Sequence, residues 1–210
     1  MGSSAIIASY CMKLKMIFPL CLSMKPNLLT GNFKQMSEPQ TPKPAKLVIG
    51  VFAKNKKKIE RLALELSAPF GQIDLVSAWM DFHHTDYYKP EMGSPLSRRL
   101  FAFKRLIDQA ELAEIKIATN RIEQAHSVGG RRQVNVDPGY LLHERFVLAS
   151  GKNFSHRIYI GCGIYADLTL IYQKGSFQKL PWTYPDYAEQ TMIGFLDQVR
   201  HKYVLDLKSM

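Results

Sequence analysis

Cysteine is scarce in this chain. Cys11, Cys21 and Cys162 are the only three in 210 residues, and no two of them form a CxxC pair. That excludes a disulfide scaffold and a zinc ribbon, and it fits a reducing compartment, so a cytoplasmic location is expected. Long apolar runs are also lacking, since no stretch approaches the roughly 20 residues that a membrane-spanning helix needs. The phosphate-binding pattern GxxxxGK[ST] is missing too. Its nearest fragment, Gly151-Lys152, has Phe146 at the first glycine position and Asn153 after the lysine. Neither HExxH nor Gly-x-Ser-x-Gly occurs, which removes two common hydrolase signatures. Gly161-Cys-Gly-Ile-Tyr-Ala166 matches GxGxxA, but an alternating β pattern follows it in place of the helix a dinucleotide requires. These glycines therefore read as a hairpin turn or bulge. There are no internal repeats.

What is present is ordinary globular composition, 46% apolar and 22% charged, with a net charge of +10. The excess of cations points to an anionic partner, although Lys13, Lys15, Lys25 and Lys34 place part of it in the first 35 residues, which hold no acid. Residues 1–44 read as a disordered or mis-assigned extension, with Met36 as the expected start and Ser37–Pro44 as a proline-rich linker. Residues 45–207 read as a single α+β domain.

Within that domain Lys46–Ala53 is continuously apolar and β-branched, a buried strand. Ile59, Leu62, Ala63 and Leu66 mark a helix from Lys56, and Ile73–Phe82 a second strand. A loop covers His83–Ser97, and Arg98–Ile107 resumes as a strand. Asp108, with Glu111 as its capping-box partner, starts a helix to about His126. Gln133–Val136 is a short strand closed by an Asp137-Pro-Gly139 turn. The order β-α-β-β-α-β is that of a ferredoxin-like core. Tyr140–Ala149 fits either helix or strand. Strands around Ile158–Gly161 and Tyr165–Gln173, a turn at Lys174-Gly175, a short strand Ser176–Leu180 and a last helix to Tyr203 extend the core with an antiparallel hairpin and a final helix.

Asp81, His83, His84 and Asp86 form the densest group able to hold a metal, with His83, His84 and Asp86 as the weak candidates; a polar exposed loop is the preferred account of them, and no metal is assigned. Tyr159, Tyr165 and Tyr172, with Arg157, Lys174 and Lys179 nearby, are candidates for stacking RNA bases or for sheet packing.

Four longer strings resemble a family catalogued as domain of unknown function 4416. They are Thr85-Asp-Tyr-Tyr-Lys-Pro-Glu-Met-Gly93, Val134-Asn-Val-Asp-Pro-Gly-Tyr-Leu141, Asn153-Phe-Ser-His-Arg-Ile-Tyr-Ile-Gly161 and Leu180-Pro-Trp-Thr-Tyr-Pro-Asp-Tyr187. The resemblance spans about Ala45 to Tyr203, and implies a compact chain that begins just before the first strand. All four strings fall in loops or at strand ends and are rich in ligand-binding side chains. Asp137 and His156 are the candidate acid–base pair. Arg98, Arg132 and Arg157, with Asp86, Tyr87, Glu91 and Tyr140, are the candidate ligand-binding set. If the segments around Asp137, His156–Arg157 and the 83–97 loop wall one pocket, Asp137 and His156 should approach within roughly 10 Å.

The function expected is binding of, or chemistry on, a small phosphorylated or nucleotide-like anion. The alternatives are a non-catalytic RNA-binding or protein-interaction module, and a metal-dependent hydrolase. No cofactor is identifiable.

Overall fold

A computed structural model describes residues 38–209. The expected extension and start at Met36 lie outside the described residues, apart from the exposed linker up to Pro44. The compact body begins at Thr41. It is α+β with one antiparallel sheet, as its sequence pattern suggests.

The elements are β1 (Ala45–Ala53), α1 (Lys56–Phe70), β2 (Ile73–Val76), β3 (Met80–Phe82), a one-turn α2 (Lys89–Met92) and β4 (Leu96–Ile107). Then come α3 (Leu112–Ala125), β5 (Val134–Leu141), β6 (Arg145–Ser150), β7 (Arg157–Gly161), β8 (Ile164–Gln173), β9 (Ser176–Lys179) and α4 (Gln190–Lys208). Strand order is β2-β4-β1-β5-β6-β8-β7, with β3 also on β4 and β9 also on β8. Every pairing is antiparallel.

β1 lies at the centre of the core, and all nine of its residues are buried. Its unbroken apolar run has that cause: both faces are covered, so the usual alternation of polar and apolar residues is lost. On one face α1 buries Ile59, Leu62, Leu66 and Phe70, the last edge-on to Phe103 of β4. The other face is covered at one end by α4, where buried Lys46 of β1 reaches Asp206 and Tyr203 donates to the Pro44 carbonyl. Asn55 caps α1 by accepting from the Lys57 N–H. Asp108 and Glu111 make the expected capping box, opening with a 3-10 turn before α3.

The sequence and the structure part company in three places. The expected strand Ile73–Phe82 is two strands, because Ser77 interrupts the ladder: its hydroxyl accepts from the Leu100 N–H and its carbonyl from Arg99 Nε. Asp137-Pro-Gly139 is not a turn; β5 runs straight through it to Leu141. Val136 directs its N–H to Glu123 and its carbonyl to Lys116, away from β1, and Pro138 two residues on faces the same way. Pairing with β6 starts only at Gly139, so the missing proline N–H costs no ladder bond. Third, the expected loop His83–Ser97 holds the one-turn α2 and gives way to β4 already at Leu96; Tyr140–Ala149, which fits either helix or strand by its sequence, is the β5–β6 hairpin.

Candidate functional site

Side chains alternate across a sheet, so the register of β1 with its neighbours sets which residues share a face. Phe52 lies opposite Arg98 on β4 and Asn135 on β5; Gly50 lies opposite Leu100 and Asp137. The rows continue through Leu148 of β6 to Asp167 of β8 and Arg157 of β7. A polar row therefore crosses the face opposite α1, under no helix at this end.

Two segments roof it. The loop after β3 contributes Thr85, Tyr87 and Tyr88, and the 3-10 turn Pro185–Ala188 contributes Asp186 and Tyr187. Between roof and sheet lies a cavity of about 630 Å³, within the range of small-molecule sites. α3 closes one side with Lys116, Asn120 and Glu123, spaced i, i+4, i+7 on one helical face. Their first task is structural. Lys116 and Glu123 take the carbonyl and N–H of Val136, which β6 leaves unpaired.

Arg98 is only 2% exposed. Its guanidinium pairs with Asp186 and lies 4.3 Å from the Tyr187 ring centroid. Gly50 makes room for it: a Cβ there would meet Arg98 Nη2 at 3.2 Å and the Tyr187 hydroxyl at 3.4 Å. Arg157 is spent within the wall. It donates to Asp167 (2.8 Å), Ser150 (3.0 Å), the Lys152 carbonyl (2.9 Å) and the Tyr184 hydroxyl (2.7 Å). The Arg132 guanidinium donates twice to Glu91 and once to Asn135. Asp137 accepts from Asn135 at 2.7 Å and from Lys116 at 3.4 Å. Among the described residues, Lys152 is the cavity cation that no carboxylate holds; its ammonium lies 4.6 Å from the Tyr87 ring centroid.

Burial pushes the Glu123 carboxyl up, with Asp137 adding to it, against the pull of Lys116, the Val136 N–H and Arg132. Burial likewise raises the Tyr88 and Tyr187 phenols, so both are neutral donors at physiological pH. The Arg132 hydrogen bond holds Glu91 below the ordinary carboxylate range.

Of the expected site residues, Arg98, Arg132, Arg157, Asp137 and Tyr87 line the cavity. The others stand elsewhere. Tyr140, opposite Leu47, falls on the other face of the sheet and packs in the core, because neighbours along a strand point to opposite faces. Asp86 is exposed and pairs with Lys89. Glu91 acts through Arg132. His156 lies outside the wall, stacked on Trp182 with ring centroids 5.1 Å apart, and its Nε2 is 3.5 Å from Asp167. Asp137 and His156 share no hydrogen bond. The candidate metal group is also redrawn: Asp86 is elsewhere, and Glu189, 105 residues beyond His84, takes its place at 2.6 Å.

Sequence reading missed Lys116, Asn120, Glu123 and Asp186. The α3 stripe had a signal, since polar residues at helical spacing interrupt a face bearing Leu112, Ile115 and Thr119.

Fold and site define an α+β domain with a polar, aromatic-roofed cavity on the sheet face away from α1. Each of the four strings quoted above contributes to its wall, through Thr85 and Tyr87, Asn135 and Asp137, Arg157, and Tyr184–Tyr187. The chain belongs to the family described as Domain of unknown function (DUF4416), whose family model matches residues 43–203. No curated protein and no solved structure matches it. Among the described residues no helix is long and apolar enough to cross a membrane.

Proposed function

We propose that this chain binds a small phosphorylated or nucleotide-like anion in the cavity. The observation that carries the reading is the convergence of four separate strings on one roofed cleft, with aromatic rings above and hydrogen-bonding groups below. Tyr87 and Tyr88 offer faces for a flat ring. Lys152 offers the uncommitted charge, while Arg98, Arg132 and Arg157 are occupied by carboxylates and serve as rigid walls with a positive bias. Any proton transfer falls to Asp137, which is in the wall; His156 acts through Asp167. The finer fold assignment belongs to this reading too: the order β2-β4-β1-β5 supports a ferredoxin-like core, extended by β6–β9 and α4.

A thermal-shift panel of nucleotides and sugar phosphates tests the proposal. A ligand at 100 times its Kd should add about 2.7 kcal/mol of stability, and Lys152→Ala should abolish the shift. If no anion stabilises the intact fold, the proposal fails. The second reading, an RNA or protein surface, draws on exposed Ile158 and Tyr159 of edge strand β7, with Tyr159 and Tyr165 ring centroids 5.4 Å apart. Arg157 does not serve that surface, because its guanidinium is buried in the cavity wall. RNA binding lost in Tyr159→Ala, with no anion effect, would favour this reading.

A further inference from the structure

We propose that His83, His84 and Glu189 form a site for a zinc-class divalent cation at the mouth of the cavity. One ligand atom from each lies within 4.8 Å of the others. The arrangement has no local origin. The chain bends at His84, bringing two adjacent side chains to one side that an extended strand would send to opposite sides. Their rings stack with centroids 4.6 Å apart and planes at 26°. Glu189 arrives from the other roof segment. It is the N-cap residue of α4, yet its carboxylate makes no capping bond and turns to His84 Nε2 at 2.6 Å.

A plain ion pair between His84 and Glu189 would leave the stacking of His83 on His84 unexplained. A shared cation draws the two neutral rings and the carboxylate together. The donor set selects the metal: imidazole suits zinc and its first-row neighbours, whereas magnesium and calcium require oxygen ligands. Zinc bonds of about 2.0–2.2 Å require the two stacked rings to turn so that their nitrogen lone pairs converge, and both histidines are exposed enough to do so. Three protein ligands leave one position open, the pattern of catalytic and not of structural zinc. Because His84 also lines the cavity, that position is within reach of whatever the cavity holds.

The test uses tag-free, metal-stripped full-length protein, titrated with Co²⁺ and followed by visible d–d absorption, and with Zn²⁺ followed by calorimetry. No anion is present, so the outcome is separate from that of the ligand panel. The expected result is one equivalent bound per chain. Loss of a mere outer-sphere partner costs about 10–100-fold in affinity, so His83→Ala and Glu189→Gln should each lose at least that much. His83 is exposed, and its variant should melt at the wild-type temperature in chelator, showing that the loss is not unfolding. Absence of one-equivalent binding overturns the site. So does binding that is equal in wild type and both variants, which would put the metal elsewhere.

Discussion

Arg132 and Glu91, 41 residues apart, meet through three hydrogen bonds to one carboxylate: the Arg132 backbone N–H and Nε to Oε1, and Nη2 to Oε2. The pair ties the roof of the cavity to the start of β5. Glu91→Ala is expected to cost about 1–2 kcal/mol and to raise amide exchange across residues 84–93 while leaving β1 protected. Uniform exchange across the domain would show that the roof is held by other contacts.

The same carboxylate carries a pH signature. Its folded pKa is depressed, so its contribution is complete above the ordinary glutamate range and is lost as pH falls through the lowered folded value. A Tm profile of Glu91→Gln should converge with that of wild type only on the acid side.

Glu123 works in the opposite sense. Its folded pKa is raised by burial, so the folded state holds its proton longer, and stability falls as pH climbs from the ordinary glutamate range to the raised value. Glu123→Gln should flatten that part of the Tm profile. A slope unchanged from wild type would assign it to another group.

Gly139 is fixed by a neighbour strand and not by a turn. A Cβ there would sit 2.5 Å from the Val147 carbonyl oxygen, and backbone cannot step aside cheaply. Gly139→Ala should therefore cost about 3 kcal/mol, read by denaturant unfolding; a cost under about 1 kcal/mol would mean that β6 shifts freely.

Trp182 and Thr183 close a gap in the sheet edge. β7 pairs β8 up to Asp167 and β9 pairs it from Leu170, leaving two carbonyls that accept from Trp182 Nε1 and the Thr183 hydroxyl. The hydroxyl also accepts from the Leu180 N–H. Thr183→Val keeps the shape and removes both bonds, an expected loss of about 2 kcal/mol. If stability is unchanged, water replaces the hydroxyl there.

The sequence by itself determined what depends on neighbours along the chain. The apolar run of β1, the Asp108–Glu111 capping box and the tight turns at Gly161–Gly163 and Lys174–Gly175 are local chemistry, and the turns show it in their positive φ angles. It also marked Tyr87, Arg98, Arg132, Asp137 and Arg157, which come to line the cavity. Tertiary structure decided the rest. Asp137-Pro-Gly139 has the composition of a turn, but β1 on one side and the approach of β6 on the other hold it extended. Tyr140 and Asp137 stand three residues apart on opposite faces because a strand alternates, which was invisible while the segment read as a turn. Likewise, nothing near His83 in the chain announces Glu189. Only the return of the last segment over the sheet sets that carboxylate beside the two rings, because such pairings depend on strand order, which sequence periodicity does not encode.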